Sequence, residues 1–376
     1  MRGPIPATQG KLSRKDSTVK GIIRAWRRLT TPQDSPRAGK GEPTLIACSG
    51  GADSCALLLS LVSAAGRGGP RLVVGHVMHD IRPRDEVDQD RDAVKVLAER
   101  LGVEFVEAEV SVRGGRGRQR NLEAVARRAR YAALAHMARQ RGIRFVATAH
   151  HAEDQLETVL MSLLRGTGGA GMRGLAVSRR LAGIGPDLIR LIRPMASEWC
   201  GVAVDRAMCQ RLCREAGVVW REDATNEDRT RLRNALRKDV IPILRGLRPD
   251  VLAKAAAAGA HARAVDRLLA RESVRIVSLG VRRSGAIHWP RAGLKSESVA
   301  ALGASIRNAR SIVCGRRGAD RLSKRAIDAA IRAIRDRSTD PRELIVGGLH
   351  IRVTAREVVM AASSNPPSPA GAARIW

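Results

Sequence analysis

Six cysteines, at positions 48, 55, 200, 209, 213 and 314, form no CxxC pair and no zinc-ligand spacing. That excludes a disulfide framework or a metal ribbon and fits a reducing compartment. No apolar run reaches the roughly 18 residues that a membrane-spanning helix requires. Residues 1–40 lack the apolar middle of a secretory signal. Acidic residues are also scarce: 37 Asp and Glu stand against 67 Lys and Arg, a formal net charge of +30. A GC-rich genome would explain arginine outnumbering lysine, but not the missing acids. Such a balance suits a phosphate backbone, where cation contacts release counterions, so nucleic acid is the natural partner. There is no internal repeat.

What is present is enough to fold: 376 residues with 44% hydrophobic content can fill a core and leave room for two or three domains. Residues 1–40, basic and rich in Ser, Thr, Pro and Gly, fit a disordered extension or an organelle transit peptide, and are read as the former. From Pro43 to Met195, short apolar runs ("TLIACS", "RLVVGHVM", "VEFVEAEV", "IRFVATA") alternate with helical segments. That succession predicts an α/β fold, a doubly wound parallel sheet with its ligands at the carboxyl ends of the strands. A catalytic domain is expected over 41–235 and a smaller, mainly helical domain over 236–340. A strand pair turning at Gly347-Gly348 and a loose tail complete the chain over 341–376.

Two stretches carry chemistry. In "ACSGGADS" a strand ends at Ser49 and a helix begins near Asp53, so Gly50 and Gly51 fall where the backbone must turn sharply and approach a ligand. Amide N–H groups at that helix start, with the Ser49 and Ser54 hydroxyls, form a cradle for anionic oxygens. No Walker lysine is present, which argues against γ-phosphoryl transfer of the kinase or GTPase kind. The second stretch is "HHAEDQLETVLMSLLRG". At helical spacing Leu156, Val159, Leu160, Leu163 and Leu164 share one face, and Asp154, Glu157, Thr158, Met161 and Arg165 the other. The paired carboxylates read either as a cation site or as a solvated acidic first turn. His150 and His151 read equally as general bases or as structural histidines. "GTGGAG" at 166–171 follows a helix, so it is no dinucleotide fingerprint. "RGGRGRQRN" at 113–121 is a basic loop suited to RNA phosphates.

The turn Ser49-Gly50-Gly51-Ala52-Asp53-Ser54 is similar to the SGGxDS loop of the PP-loop (N-type) ATP pyrophosphatases. With "NLEAVARRARYAALAHMARQRG", "AHHAEDQLET…RGTG", "LIRPM" and "WREDATNEDRTRLRNALRKDVIP", the chain over about 43–245 resembles the tRNA(Ile)-lysidine synthases within them. The resemblance implies that ATP adenylates the wobble cytidine of tRNA(Ile) with a CAU anticodon and that free L-lysine then displaces AMP. It further implies a cytoplasmic enzyme, compatible with a homodimer, with Mg2+ placed by Asp53. Ser49, Gly50, Gly51, Ala52, Asp53 and Ser54 would bind nucleotide, and Asp53, Asp154, Glu157 and Arg165 are the catalytic candidates. Presenting a neutral lysine amine at pH 7 costs about 4–5 kcal/mol. Asp154 and Glu157 are therefore expected to hold the α-ammonium, or one of them to take the proton during attack. Asp223, Asn226, Arg233, Asn234 and Arg237 match family positions with tRNA-binding or structural roles. Met78 stands where the family pattern has an acid and Asp80 where it has a glycine, so the acid is expected to have moved two residues. The alternatives are a PP-loop tRNA thiolase, which needs sulfur-carrying cysteines, and a non-catalytic basic RNA-binding protein.

Overall fold

In the computed structural model, residues 12–31, 40–65, 69–80, 83–111, 122–166, 168–221, 232–315 and 322–363 are described. The chain forms two compact units, Met1–Ala262 and Arg263–Trp376. The first is built on β1 (Thr44–Ala47), β2 (Leu72–His79), β3 (Glu104–Val110), β4 (Phe145–Ala147), β5 (Ser178–Ala182) and β6 (Ile189–Ile192), in sheet order β3-β2-β1-β4-β6-β5. All neighbours run parallel except β5, which pairs antiparallel to β6. Its helices are α1 (Ser17–Thr30), α2 (Ala52–Ala65), α3 (Arg84–Arg100), α4 (Leu122–Gln140), α5 (Ala152–Leu164), α6 (Arg206–Glu215), α7 (Leu232–Ala235) and α8 (Ile241–Leu247).

Both faces of the sheet are covered at its centre, which is why β1, β2 and β4 read as largely apolar runs, while the outer β3 (EFVEAEV) and β5 (SRRLA) carry charged residues. Successive residues of β1 point opposite ways: Ile46 packs with Val74, α2 and α1, while Leu45 packs with Val73, Val146 and the α4 residues Tyr131 and Leu134. The chain passes from β1 outward to β2 and β3, then returns across β1 to β4. That reversal opens a crevice at the carboxyl ends of β1 and β4. The doubly wound α/β sheet is the one expected.

The disordered extension expected over 1–40 is wrong for its middle. Asp16 caps α1 by accepting from the Thr18 and Val19 N–H groups at 2.8 and 3.0 Å. Val19, Ile22 and Trp26 are 0% exposed, and the Trp26 indole donates to Thr44 Oγ1 at 2.9 Å. Val19, Ile22, Ile23 and Trp26 follow the i, i+3, i+4, i+7 spacing of a buried helix face, so periodicity outweighs the basic, proline-bearing composition.

The division between units also falls later than residue 235, inside α9 (Val251–Ser278). The second unit contains α10 (Arg291–Lys295), α11 (Val299–Val313) and α12 (Lys324–Arg335). It also holds an antiparallel sheet in the order β7-β8-β11-β10-β9. These strands are β7 (Val281–Arg283), β8 (Ala286–Pro290), β9 (Arg342–Val346), β10 (Leu349–Val353) and β11 (Glu357–Ala362). The hairpin at Gly347-Gly348 is present, with both glycines at positive φ. The expected strand pair is thus part of a five-stranded sheet whose β7 and β8 lie in the stretch expected to be mainly helical. Leu349 and Ile351 pack there against Ile306, Ile331 and Ile334. The tail read at 363–373 falls outside the described residues from 364 onward. Among the described residues no helix is long and apolar enough to cross a membrane.

Candidate active site

The crevice holds a cavity of about 400 Å³. Part of its wall is the turn between β1 and α2, contributing Ser49, Gly51, Asp53 and Ser54. Gly50 has φ +87°, a left-handed conformation that explains glycine here. Ser54 Oγ accepts from the Ser49 N–H at 3.1 Å and donates to the Gly51 carbonyl at 2.9 Å. The buried Ser54 hydroxyl therefore braces the turn, while Ser49 is exposed. The first N–H groups of α2 have no partner within the helix and remain as anion donors. Asp53, in that first turn, has a buried Oδ1 with no hydrogen-bond partner, and its Oδ2 lies 3.5 Å from His151 Nε2.

Another part of the wall comes from α5. Asp154 and Glu157 do lie together, and the expected apolar face is buried at Leu156 and Val159, with Leu156 packed against Ile241 and Leu252, but the acidic face is covered too and the last turn is not. Asp154 is 7% exposed and Glu157 0%, whereas Leu163 and Leu164, expected to pack on the sheet, are 58% and 64% exposed. The reason lies downstream. Arg233 of α7 donates to Glu157 Oε2 and Asp154 Oδ1, both at 2.6 Å; Arg237, in the π-helical turn Leu236–Val240, donates to Glu157 Oε1 at 2.6 Å. Two guanidiniums thus neutralise a pair of carboxylates that could not otherwise be buried. The outer leucines belong to the last turn of α5, beyond this cover. Burial favours the protonated form of Asp154, yet His151, His150 and Arg233 hold its carboxyl well below the usual range. Arg165 is exposed and does not line the cavity.

The two histidines differ. His150 sits on the cavity wall, its Nδ1 3.0 Å from Thr148 Oγ1 and its Nε2 3.3 Å from Arg127 Nη2. The arginine can only donate, so His150 Nε2 accepts and Nδ1 carries the proton to Thr148. Burial pushes the His150 pKa down to about 3, in keeping with this neutral ring. His151 is 1% exposed, with Nδ1 3.7 Å from Asp154 Oδ2. Burial works against its charge, but Asp154 and Asp53 push its pKa up to about 9.

Sequence reasoning assigned no role to a third group, although it noted the segment that carries it. The guanidiniums of Arg127, Arg130 and Arg179 lie 5.1, 5.7 and 4.9 Å from the Tyr131 ring centre. Arg193, 3% exposed, is a further cation beside that tyrosine. Among the described residues none of these four pairs with a carboxylate. Arg127, Arg130 and Tyr131 line the cavity. Their usable signal was the "RRARY" run inside a helix, three arginines in four residues beside an aromatic. The acid expected near Met78 has not moved to Asp80, whose carboxylate accepts from Ser111 Oγ at 2.8 Å. Met78 itself lines the cavity, as does Asp90 of α3, a buried acid paired with Arg221. Asp223, Asn226 and the loop at 113–121 lie outside the described residues; Asn234 is on the cavity wall.

A phosphate-cradling turn at the switch point of such a sheet is a family feature, and the family model for the PP-loop domain matches residues 24–244. The chain belongs to the PP-loop family. The match begins within α1 and ends within α8, beyond 41–235 at both ends. The chain is 43% identical over 209 residues to a tRNA(Ile)-lysidine synthase of Thermus thermophilus, covering 55% of this chain and 37% of that protein. A tRNA(Ile)-lysidine synthase of Dehalococcoides mccartyi is 36% identical over 212 residues, covering 56% and 43%. The PP-loop chain described here thus spans well under half the length of these relatives. A solved U34-tRNA thiolase, NcsA from Methanococcus maripaludis, shares the fold with TM-score 0.50 and 14% identity, over 66% of this chain and 80% of that one.

Proposed function

We propose that this chain joins L-lysine to C2 of the wobble cytidine of tRNA(Ile) bearing a CAU anticodon, converting ATP to AMP and pyrophosphate. The observation that supports it is one cavity walled both by a glycine turn suited to anions and by Asp154, with Glu157 covered behind it. The turn's amides would receive the diphosphate as the base oxygen attacks the α-phosphorus, stabilising charge that grows on the leaving group. Arg127 and Arg130, which pair with no carboxylate among the described residues, suit the remaining anionic oxygens of nucleotide or RNA.

Asp154, the member of the acidic pair that lines the cavity, would receive the lysine α-ammonium, sharing its oxygens with Arg233. Glu157, fully covered, would act beneath it by fixing both arginines. His150, neutral and bonded at both nitrogens, is read as an orienting group rather than a base. Asp53 fits Mg2+: a hard carboxylate on the cavity wall with one oxygen lacking a hydrogen bond, which suffices for an ion that takes its other ligands from phosphates and water. When bound, the ion would shield phosphate repulsion. Such an enzyme would be cytoplasmic, as monomer or homodimer, where tRNA, lysine and ATP are all present.

The thiolase alternative needs a thiol that can carry sulfur. Cys48, on the cavity wall, is 2% exposed beneath the turn, with its Sγ 3.6 Å from Ser54 Oγ. The deciding experiment is incorporation of labelled lysine into transcripts with CAU or GAU anticodons. Label confined to CAU supports the proposal; ATP-dependent release of pyrophosphate without label in either transcript would refute it.

A further inference from the structure

We propose that Arg221 is a positioning residue that aims the Gly51 N–H of the PP-loop into the nucleotide cavity. The inference rests on the nucleotide-binding part of the reading above. The Arg221 main-chain N–H donates to the Gly50 carbonyl at 3.1 Å. The Gly50–Gly51 peptide is planar and trans, so its C=O and N–H point in opposite directions. Pinning the carbonyl toward Arg221 therefore turns the Gly51 N–H away from it, and Gly51 is a cavity-wall residue. Between two glycines this peptide can flip at little steric cost, so its direction needs an outside hold. The Ser54 hydroxyl grips the Gly51 carbonyl and the Ser49 N–H, which leaves the Gly50 carbonyl to Arg221.

Arg221 is itself anchored. Its guanidinium pairs with Asp90 and donates from Nη1 to Gln89 Oε1 at 3.0 Å. Both partners belong to α3, and Asp90 is 3% exposed. The far end of the same helix steadies the approach to Arg221, since Arg100, the last residue of α3, donates to the Ala216 and Gly217 carbonyls at 3.1 and 3.3 Å. The Arg221 side chain works only through its own backbone, and it is 40% exposed, so it can be replaced without opening the core.

The experiment is calorimetric binding of pyrophosphate, ATP and AMP to the full chain and to Arg221→Ala, Arg221→Lys and Asp90→Asn. Arg221→Ala should weaken pyrophosphate and ATP about 10-fold, the size of one lost charge-assisted hold. AMP should change less than about 2-fold, because AMP lacks the diphosphate. Arg221→Lys, which still reaches Asp90, should recover most of the loss, and Asp90→Asn should reproduce it. A merely structural role would lower all three affinities together with the melting temperature. Unchanged pyrophosphate binding in Arg221→Ala, or equal loss for AMP, overturns the proposal. If the unaltered chain fails to bind pyrophosphate, the nucleotide reading itself falls, which is a different result.

Discussion

The glycine turn and Asp154 of α5 wall the same cavity but present charge by opposite means. The turn offers main-chain amides, braced locally by Ser54 and held from outside where the Arg221 N–H meets the Gly50 carbonyl. The acidic face offers side chains that Arg233 and Arg237, 76 to 83 residues downstream, already neutralise. An amide dipole does not titrate, so such a site keeps its strength as long as its peptides keep their direction. A carboxylate site has a net charge set by whichever cations lie against it, so its affinity for an outside ammonium depends on a distant segment. One part of the wall works through main-chain dipoles held in direction, the other through side-chain charge set by its partners.

Breaking the turn should have the largest effect. Gly50→Val places a β-branched residue at φ +87°, with Val94 Cγ2 only 3.4 Å from the new Cβ. Strain of this kind costs about 1–3 kcal/mol, and a rise of roughly 100-fold in the ATP dissociation constant is expected by calorimetry. Asp154→Asn should next raise the KM for lysine about 10- to 100-fold, the worth of a charged hydrogen bond. Release of pyrophosphate with ATP and tRNA should change less than about 2-fold. Equal loss of both steps would place Asp154 with the turn and end the division of labour.

Two smaller effects sharpen the contrast. Arg237→Met leaves Glu157 buried with one cation fewer and should cost about 2–3 kcal/mol in denaturant titrations. In a double-mutant cycle with Glu157→Gln, a coupling of about 1–2 kcal/mol is expected. A site remote from the cavity serves as control. Asp16→Ala removes the cap of α1 at a cost of about 1 kcal/mol, without altering lysine KM. Burial favours protonated Asp16, but the Val19 N–H and Arg211 hold its carboxyl below the ordinary value. Its folded pKa being depressed, the stabilisation is present above the ordinary carboxyl pKa and fades as pH falls through the folded one. The difference between wild type and Asp16→Ala should therefore shrink in acid.

Local signals carried most of the first sheet. Short apolar runs gave β1 to β4, and two glycines flanked by serines gave the turn, because both follow from the chain within a few residues. Pairing across the sequence was hidden. Nothing between Asp154 and Arg165 tells that Arg233 and Arg237 cover Glu157, so the burial of the acidic face was not foreseen, and Leu163, Leu164 and Arg165 were given places that their exposure denies. The same holds for Tyr131, whose arginines come from α4, β5 and the end of β6. β7 was illegible for another reason: Val281, Arg282 and Arg283 are all exposed and show no apolar alternation. α1 was legible and overlooked, since its 3.6-residue period is plain once composition is set aside.

That helix changes where the protein can be shortened. Trimming at the first strand would look harmless, yet it would strip away Trp26, whose indole both fills the core beside α2 and satisfies the Thr44 hydroxyl. Gly21 lies so close to the carbonyl of Cys200 that a methyl there would sit 2.4 Å from it. A truncated product would bare a greasy strip on the back of the nucleotide-binding sheet, and insolubility on expression, rather than a cleaner enzyme, is the outcome to expect.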